Sequence, residues 1–425
     1  MPISCTQERI WLARQLRLVR RASYEPATQI GLQGRLNSSV LSWAVDEIRA
    51  RHESLRTRFQ IDAGVPHQII DAPGGEPLPL IGLSELNEES KRNELHRLLD
   101  HEAREGFDLT RGPLLRMKLI RFCESEHLLL LKVNHLVFDG WSLGVLFREL
   151  GALYTAAVRG QDRRPLAELP LQYADYAVWQ RQLLQGSFLD EQLQYWRKRL
   201  AGLRPLNLPT TRPRPQTRSF RGDRVPISIS GSLTTRLRAL GRSECATLYM
   251  VLLGALQLLL SRWSGQTDIA VGSVVAGRVR RETELLIGFF LNIVVIRVDV
   301  AGTRCFRDLL ARVREATLEA FTHQYVPFER LVIELAAAGD DSRHPLFQVL
   351  FVLQNFPYSR LELPGIETSL SIGARRLTRY DLMVELWEGP DGLSGHIGYN
   401  TELFDAATIG LLRTELLSLL ESLPG

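Results

Sequence analysis

Residues 134–140 read Asn134-His135-Leu136-Val137-Phe138-Asp139-Gly140, and the residue types on either side of this stretch set the architecture. Leu128 to Val133 is a largely apolar run with the length of a buried strand. From Trp141 onward, Leu143, Leu146, Phe147, Leu150, Leu153 and Tyr154 recur at helical spacing and mark a core-facing stripe. The reading is strand, tight turn, helix, with one imidazole at the strand end. A histidine there can serve as a general base near neutral pH, and an aspartate four residues on, beside a glycine that permits a tight turn, can hold the loop in shape. That arrangement suits moving a proton during acyl transfer. A lone histidine at a strand end is more often a satisfied core residue than a catalyst, so the rest of the chain has to decide.

The chain has 425 residues, of which 45% are hydrophobic, enough for two lobes of roughly 200 residues rather than one large core. Its formal charge of +4 comes almost wholly from arginines interspersed with acids, as in His101-Glu102-Ala103-Arg104-Glu105. This is a solvated surface, not a nucleic-acid face. Cys5, Cys123, Cys245 and Cys305 are far apart, without the paired spacing of a zinc site or a disulfide framework, so no metal is expected and a reducing compartment fits. The longest greasy segment, Tyr249 to Leu260, falls short of the ~20 residues that span a bilayer. No signal-peptide pattern precedes the first amphipathic stretch, so the expectation is a cytoplasmic protein with no membrane and no nucleic-acid partner.

Helix and strand patterns alternate along the N-terminal part. Helices are expected around Gln7–Leu18, Ser38–Arg51 and Glu88–Glu105, and strands near Gln29–Gln33, Leu55–Phe59, His67–Ile70, Leu115–Phe122 and His127–Val133. Residues 1–180 therefore form one α/β lobe carrying the motif. A connecting helix and a segment rich in proline and arginine, with Pro205, Pro209, Pro213 and Pro215, fill 181–224 and read as an extended, solvated connector. A second α/β lobe covers 225–425, with strands at Val225–Ile229, Ile269–Val275, Asn292–Val300, Phe347–Gln354 and Leu393–Tyr399 and helices at Leu248–Trp263, Phe306–His323 and Asp405–Leu423. It carries no second His-x-x-x-Asp-Gly.

Seven stretches, in order, resemble the motifs of nonribosomal peptide synthetase condensation domains, which belong to the chloramphenicol-acetyltransferase-like superfamily. They are Ser4–Trp11, Arg51–Phe59, Asn134–Ser142, Tyr173–Gln180, Ile287–Asn292, His323–Glu329 and Arg343–Gln348 with its continuation to Gln354 and Asn355. The resemblance spans almost the whole chain. It implies an α/β (α+β type) fold of two such lobes in a V-shaped pseudo-dimer with a tunnel between them. It further implies an acyltransferase that joins a donor acyl or peptidyl thioester to an acceptor aminoacyl thioester. Donor and acceptor carrier proteins deliver both substrates on 4'-phosphopantetheine arms, with no cofactor bound by the domain itself. Neighbouring synthetase domains are implied as partners, and the isolated domain is expected to be monomeric.

Carried onto these residues, the resemblance makes His135 the catalytic residue, as base toward the amine or as a hydrogen-bond partner that orients it. The family's usual first histidine is Asn134 here. Adjacent residues on an extended segment face opposite ways, so with His135 toward the tunnel, Asn134 should face the lobe interior, where an amide can replace one imidazole hydrogen bond. Asp139 is expected to ion-pair with Arg56 and build the site rather than do chemistry. Gly140 is read as a backbone requirement, and Ser142 as the cap of the following helix. Tyr173, Gln354 and Asn355 are candidates to line the tunnel. Residues 276–288 resemble the segment that floors it, and Tyr380-Asp381-Leu382 lies where a second crossover, or latch, is expected.

The leading reading is amide formation with an L-configured or starter (acyl) donor. The tandem aspartates of heterocyclising domains are absent, as is the extra N-terminal histidine motif of dual epimerising and condensing domains. A competing class is a degenerate, non-catalytic module that recruits a partner to a carrier-bound peptide, favoured by Asn134 alone. A coenzyme A-dependent small-molecule acetyltransferase would share His135 to Gly140 but not the length or the other motifs.

Overall fold

The computed structural model describes the chain except residues 16–26, 75–76, 162–164, 336–339, 341, 355–359, 373–377 and 424–425. From the N-terminus the elements are α1 (Cys5–Gln15), β1 (Ala27–Gln33), α2 (Ser38–Arg51), β2 (Thr57–Asp62), β3 (Val65–Ile70), β4 (Leu80–Gly82), α3 (Glu88–Arg104), β5 (Leu115–Cys123), β6 (Glu126–Val133), α4 (Gly140–Val158), α5 (Tyr173–Leu183) and α6 (Gly186–Leu200). There follow β7 (Gly222–Ser230), α7 (Gly231–Ser243), α8 (Leu248–Ser264), β8 (Asp268–Val275), β9 (Asn292–Asp299), α9 (Phe306–Thr322), α10 (Phe328–Leu335), β10 (Val349–Gln354), β11 (Glu367–Ile372), β12 (Leu382–Gly389), β13 (Gly392–Asn400) and α11 (Ala406–Ser422). Among the described residues, no single helix is long and apolar enough to cross a membrane.

Two compact units result. The first comprises Met1–Leu183 with two later segments, Arg278–Leu291 and Phe356–Ala374; the second comprises the remainder. The first unit is built on a five-stranded sheet in the order β11-β1-β6-β5-β4, antiparallel except where β4 meets β5. β6 explains the apolar run that precedes the motif. Its Leu129, Leu131 and Val133 pack into the large core under α2 and α4, while Leu128 and Leu130 pack with Leu98 of α3 in a smaller cluster. A strand covered on both faces loses the polar half of its alternation. Buried Lys132 takes up a polar task in the same strand: its ammonium donates to the Glu102 and Glu105 carbonyls at the end of α3.

The second unit is built on a six-stranded mixed sheet, β7-β13-β12-β10-β8-β9, in which β10 runs parallel to β12 and β8. The buried helix α8 packs against α7, α9, α11 and β8. Thr247 caps α8, its hydroxyl accepting from the Met250 N–H, and Gly265 ends it in a left-handed conformation with φ of 69°.

Three expectations change. Residues 278–291 and 356–374 do not belong with the lobe read as 225–425, because Ile287, Phe289, Leu361, Leu363 and Ile366 are part of the first unit's core. The crossover expected at Tyr380-Asp381-Leu382 falls instead at β11, which pairs with β1 from Thr28↔Ile372 to Gln33↔Glu367. Residues 380–382 lead into β12 of the second unit, where Asp381 ion-pairs with Arg214. The connector after α6 lacks helix or strand up to β7 but is not merely solvated: Leu206 and Leu208 are buried, and the Leu206 N–H donates to Gln348 Oε1 at 2.7 Å.

Candidate functional site

The turn after β6 is tied down by the residues on either side of His135. Asn134 is fully buried; its N–H reaches the Leu114 carbonyl at 2.9 Å and its Oδ1 accepts from the Leu136 N–H at 3.0 Å. The amide therefore closes a small turn of its own backbone, a task for one acceptor atom that an imidazole Nδ1 could fill equally. Gln7 of α1 adds a second restraint, its Nε2 donating to the Leu136 carbonyl at 2.8 Å. Leu136, Val137 and Phe138 are buried in the core, which leaves His135 as the half-exposed residue between Asn134 and Leu136. Its Nδ1 lies 3.0 Å from the Phe138 carbonyl. A carbonyl only accepts, so Nδ1 carries the proton and, in the neutral ring, the lone pair is on Nε2. The Phe289 ring stands 6.1 Å from the imidazole, tilted by 58°.

Asp139 is the N-cap of α4, extended at φ −128° and ψ −177°. Its Oδ1 accepts from the Ser142 N–H at 2.9 Å, the Ser142 hydroxyl at 2.7 Å and Arg278 Nη2 at 3.1 Å; its Oδ2 accepts from the Phe290 N–H at 3.1 Å. The positive end of the helix adds to this cage of donors. The Arg278 side chain is 1% exposed and that of Asp139 2%. Arg278 also donates through Nη1 to the Leu286 carbonyl at 2.9 Å and lies over the Phe290 ring at 4.0 Å. Burial pulls the Arg278 pKa below arginine's usual value, and the Asp139 carboxylate beside it pushes back.

The ion pair thus differs from the expected Asp139–Arg56. Arg56 closes the 3-10 turn Glu53–Arg56, with Nη2 3.6 Å from Glu53 Oε1 and Nη1 donating to the Asp71 carbonyl. Arg278 reaches Asp139 because residues 278–291 return to the first unit. Ser142 is likewise not the cap. It is the third residue of α4, and its hydroxyl links Asp139 to residue 288, lying 2.9 Å from the Gly288 carbonyl and accepting from the Gly288 N–H at 3.0 Å. Gly140 is the exposed first residue of α4, in helix rather than in a turn.

Tyr173, a candidate for the tunnel wall, is buried instead. Its hydroxyl donates to the Phe289 carbonyl at 2.6 Å and lies 2.8 Å from Ser4 Oγ, and its ring meets Phe290 edge-on at 4.9 Å. Burial pushes the phenol well above its usual pKa, so it stays protonated as a donor. A Cβ on Gly288 would lie 2.1 Å from Tyr173 Cδ2, so this position has no room for a side chain. Gly288→Ala is expected to destabilise the protein by about 1–3 kcal/mol through overpacking, read as a lower urea midpoint.

Gln354 ends β10 in the second unit, where its Nε2 donates to Glu385 Oε1 at 2.8 Å; Asn355 lies outside the described residues. His344, from the last motif, is packed among Phe328, Phe347 and Tyr380. Burial lowers its pKa to about 3, which leaves the ring neutral at pH 7. Elsewhere His101, Glu102 and Glu105 bring possible metal-ligating atoms within 4.8 Å of one another. Lys118 pairs with Glu102, and Arg116 lies 2.7 Å from Glu105, so cations already neutralise both carboxylates.

A family model described as "Condensation domain" matches residues 1–423. A linear gramicidin synthase of Brevibacillus parabrevis is 44% identical over 426 residues, covering 100% of this chain and 8% of that protein. Phosphinothricin tripeptide synthetase PhsC of Streptomyces viridochromogenes is 38% identical over 424 residues, covering 99% of this chain and 39% of that protein. The chain thus spans a small part of the relatives it matches. Among solved structures, the X-domain from teicoplanin biosynthesis is similar with a TM-score of 0.85 and 32% identity, covering 100% of this chain and 94% of that one; it is also known in complex with OxyB.

Proposed function

The chain belongs to the condensation-domain family of amide-forming acyltransferases, and on that premise we propose that it joins a carrier-bound donor to a carrier-bound acceptor amine within a nonribosomal peptide synthetase. The donor is an L-configured peptidyl or starter acyl thioester, and the acceptor an aminoacyl thioester, each on a 4'-phosphopantetheine arm. The domain works in the cytoplasm as a monomeric part of a larger synthetase.

The observation that carries this reading is the half-exposed His135, whose Nδ1 is committed to the Phe138 carbonyl, so that its neutral form offers a lone pair on Nε2. The amine attacks the donor carbonyl carbon through its own lone pair, the carbon–sulfur bond breaks, and the donor carrier's thiol leaves. The nitrogen sheds one proton on the way, and Nε2 accepts it or orients the N–H bond. Asp139, Ser142 and Arg278 hold the turn and do not act on substrate.

The second reading, a recruitment module, draws support from the likeness to the X-domain known in complex with OxyB. An intact-mass assay with both carriers loaded separates the two. On the amide-forming reading the native protein moves the donor mass onto the acceptor carrier, and Asn134→His transfers as well as native. If loaded carrier binds and no mass moves, the recruitment reading replaces it.

A further inference from the structure

The Ile287 peptide is gripped from both sides by side chains that the Asp139 cage leaves unused. Its N–H donates to His52 Nδ1 at 3.3 Å, and its carbonyl accepts from the Ser54 hydroxyl at 2.6 Å. Because Nδ1 accepts, the imidazole carries its proton on Nε2, which donates to Glu149 Oε2 at 2.7 Å. Glu149, on α4, is held in turn by Arg51 Nε at 3.2 Å. Gln172 braces the same turn, donating to the Arg51 carbonyl at 3.0 Å and accepting from the Glu53 N–H at 3.1 Å.

The His52 and Glu149 side chains are 1% and 3% exposed, so neither has a face for substrate. A buried polar pair of this kind adds little net stability over well-packed apolar residues. Its direction is informative: it aims one acceptor at one backbone N–H. The three residues after Ile287 are those that meet the site, Gly288 on Ser142, Phe289 beside His135, and Phe290 with its N–H on Asp139.

We propose that His52 is a positioning residue for the reaction. In its Nε2–H tautomer, backed by Glu149, it fixes the Ile287 peptide and thereby the register of residues 288–290 against Ser142, His135 and Asp139. This rests on the amide-forming reading.

The test compares His52→Leu, His52→Asn and Asn37→Ala by amide hydrogen exchange of the peptide covering 286–290 and by steady-state transfer between loaded carriers. Asn37 caps α2, the helix that leads into His52, at its far end. His52→Leu is expected to speed exchange in 286–290 and lower kcat by about tenfold or more, with KM unchanged, since small misplacements near reacting groups are costly. An asparagine Oδ1 can accept where Nδ1 does, so His52→Asn is expected to restore most of the protection and most of kcat. Asn37→Ala loosens α2 but should move neither readout. Unchanged exchange in His52→Leu overturns the proposal, as does a kcat loss no larger than in Asn37→Ala, or a His52→Asn variant no better than the leucine. If native protein transfers nothing, the amide-forming reading falls separately. Exchange then decides the clamp: protection lost with leucine and kept with asparagine upholds it, and equal protection in all three overturns it.

Discussion

Arg278→Leu costs about 3–5 kcal/mol of folding stability and abolishes transfer, whereas Arg278→Leu combined with Asp139→Leu costs less than the sum of the two single changes. The physical ground is the burial of both side chains, at 1% and 2% exposure. Truncating the guanidinium leaves a carboxylate with no cation beside it, and that stranded charge carries most of the penalty. Removing the carboxylate as well relieves it, so the double-mutant cycle should show strong coupling. Some loss persists in the double variant, because Asp139 also caps α4 and accepts the Phe290 N–H, and Arg278 also holds the Leu286 carbonyl. Arg278→Lys is expected to rescue only partly. An ammonium keeps the charge, but it lacks the planar fork with which Nη1 reaches Leu286 and Nη2 reaches Asp139. Urea midpoints with unchanged m-values, alongside transfer rates, check each of these. By contrast, a mutation of Arg56, which pairs with Glu53 near the surface, should leave the Asp139 cage intact.

The misassigned partner of Asp139 marks where sequence reading stops. Local pattern was enough for the strand-turn-helix around His135, because β6 and α4 are long, strongly apolar and end within a residue or two of the change in periodicity. α2 was readable over Ser38–Arg51 because Leu41, Ala44, Val45 and Ile48 recur at helical spacing. Arg278 stands far along the chain, and it meets Asp139 only because its segment joins the first unit's core through Ile287 and Phe289. No periodicity encodes that return. β11 escaped for a related reason: Glu367–Ile372 is short and mostly polar, buries Thr368 while leaving Leu370 exposed, and finds its partner β1 over three hundred residues away. The motifs themselves were visible as residues, but their shared task was not. Ser4, His52, Ser54, Asp139, Ser142 and Tyr173 come from four separate motifs; all but Ser4 bond residues 287–290 of a fifth, and Ser4 supports Tyr173. That segment forms no strand, so side chains satisfy backbone groups that a sheet would otherwise pair.

His135→Ala is expected to lower the transfer rate by about 10²–10⁴-fold while leaving KM and folding stability close to native. The ring is half-exposed, and its Nδ1 bonds the Phe138 carbonyl within its own turn, so truncation removes little buried apolar surface and leaves the Asp139 cage in place. A kcat loss with unchanged KM places its contribution in the transition state rather than in carrier binding. The size of the loss bears on the chemistry, since an amine attacking a thioester needs its own lone pair more than a strong base. If His135 chiefly orients the amine, His135→Gln should recover much of the rate, its amide oxygen accepting an N–H where Nε2 would. If it takes the proton, glutamine should remain as slow as alanine, because an amide orients but does not accept a proton at neutral pH. Loaded carriers, single-turnover rates for the two variants and intact-mass detection distinguish these outcomes, and an alanine variant as fast as native would remove His135 from the reaction altogether.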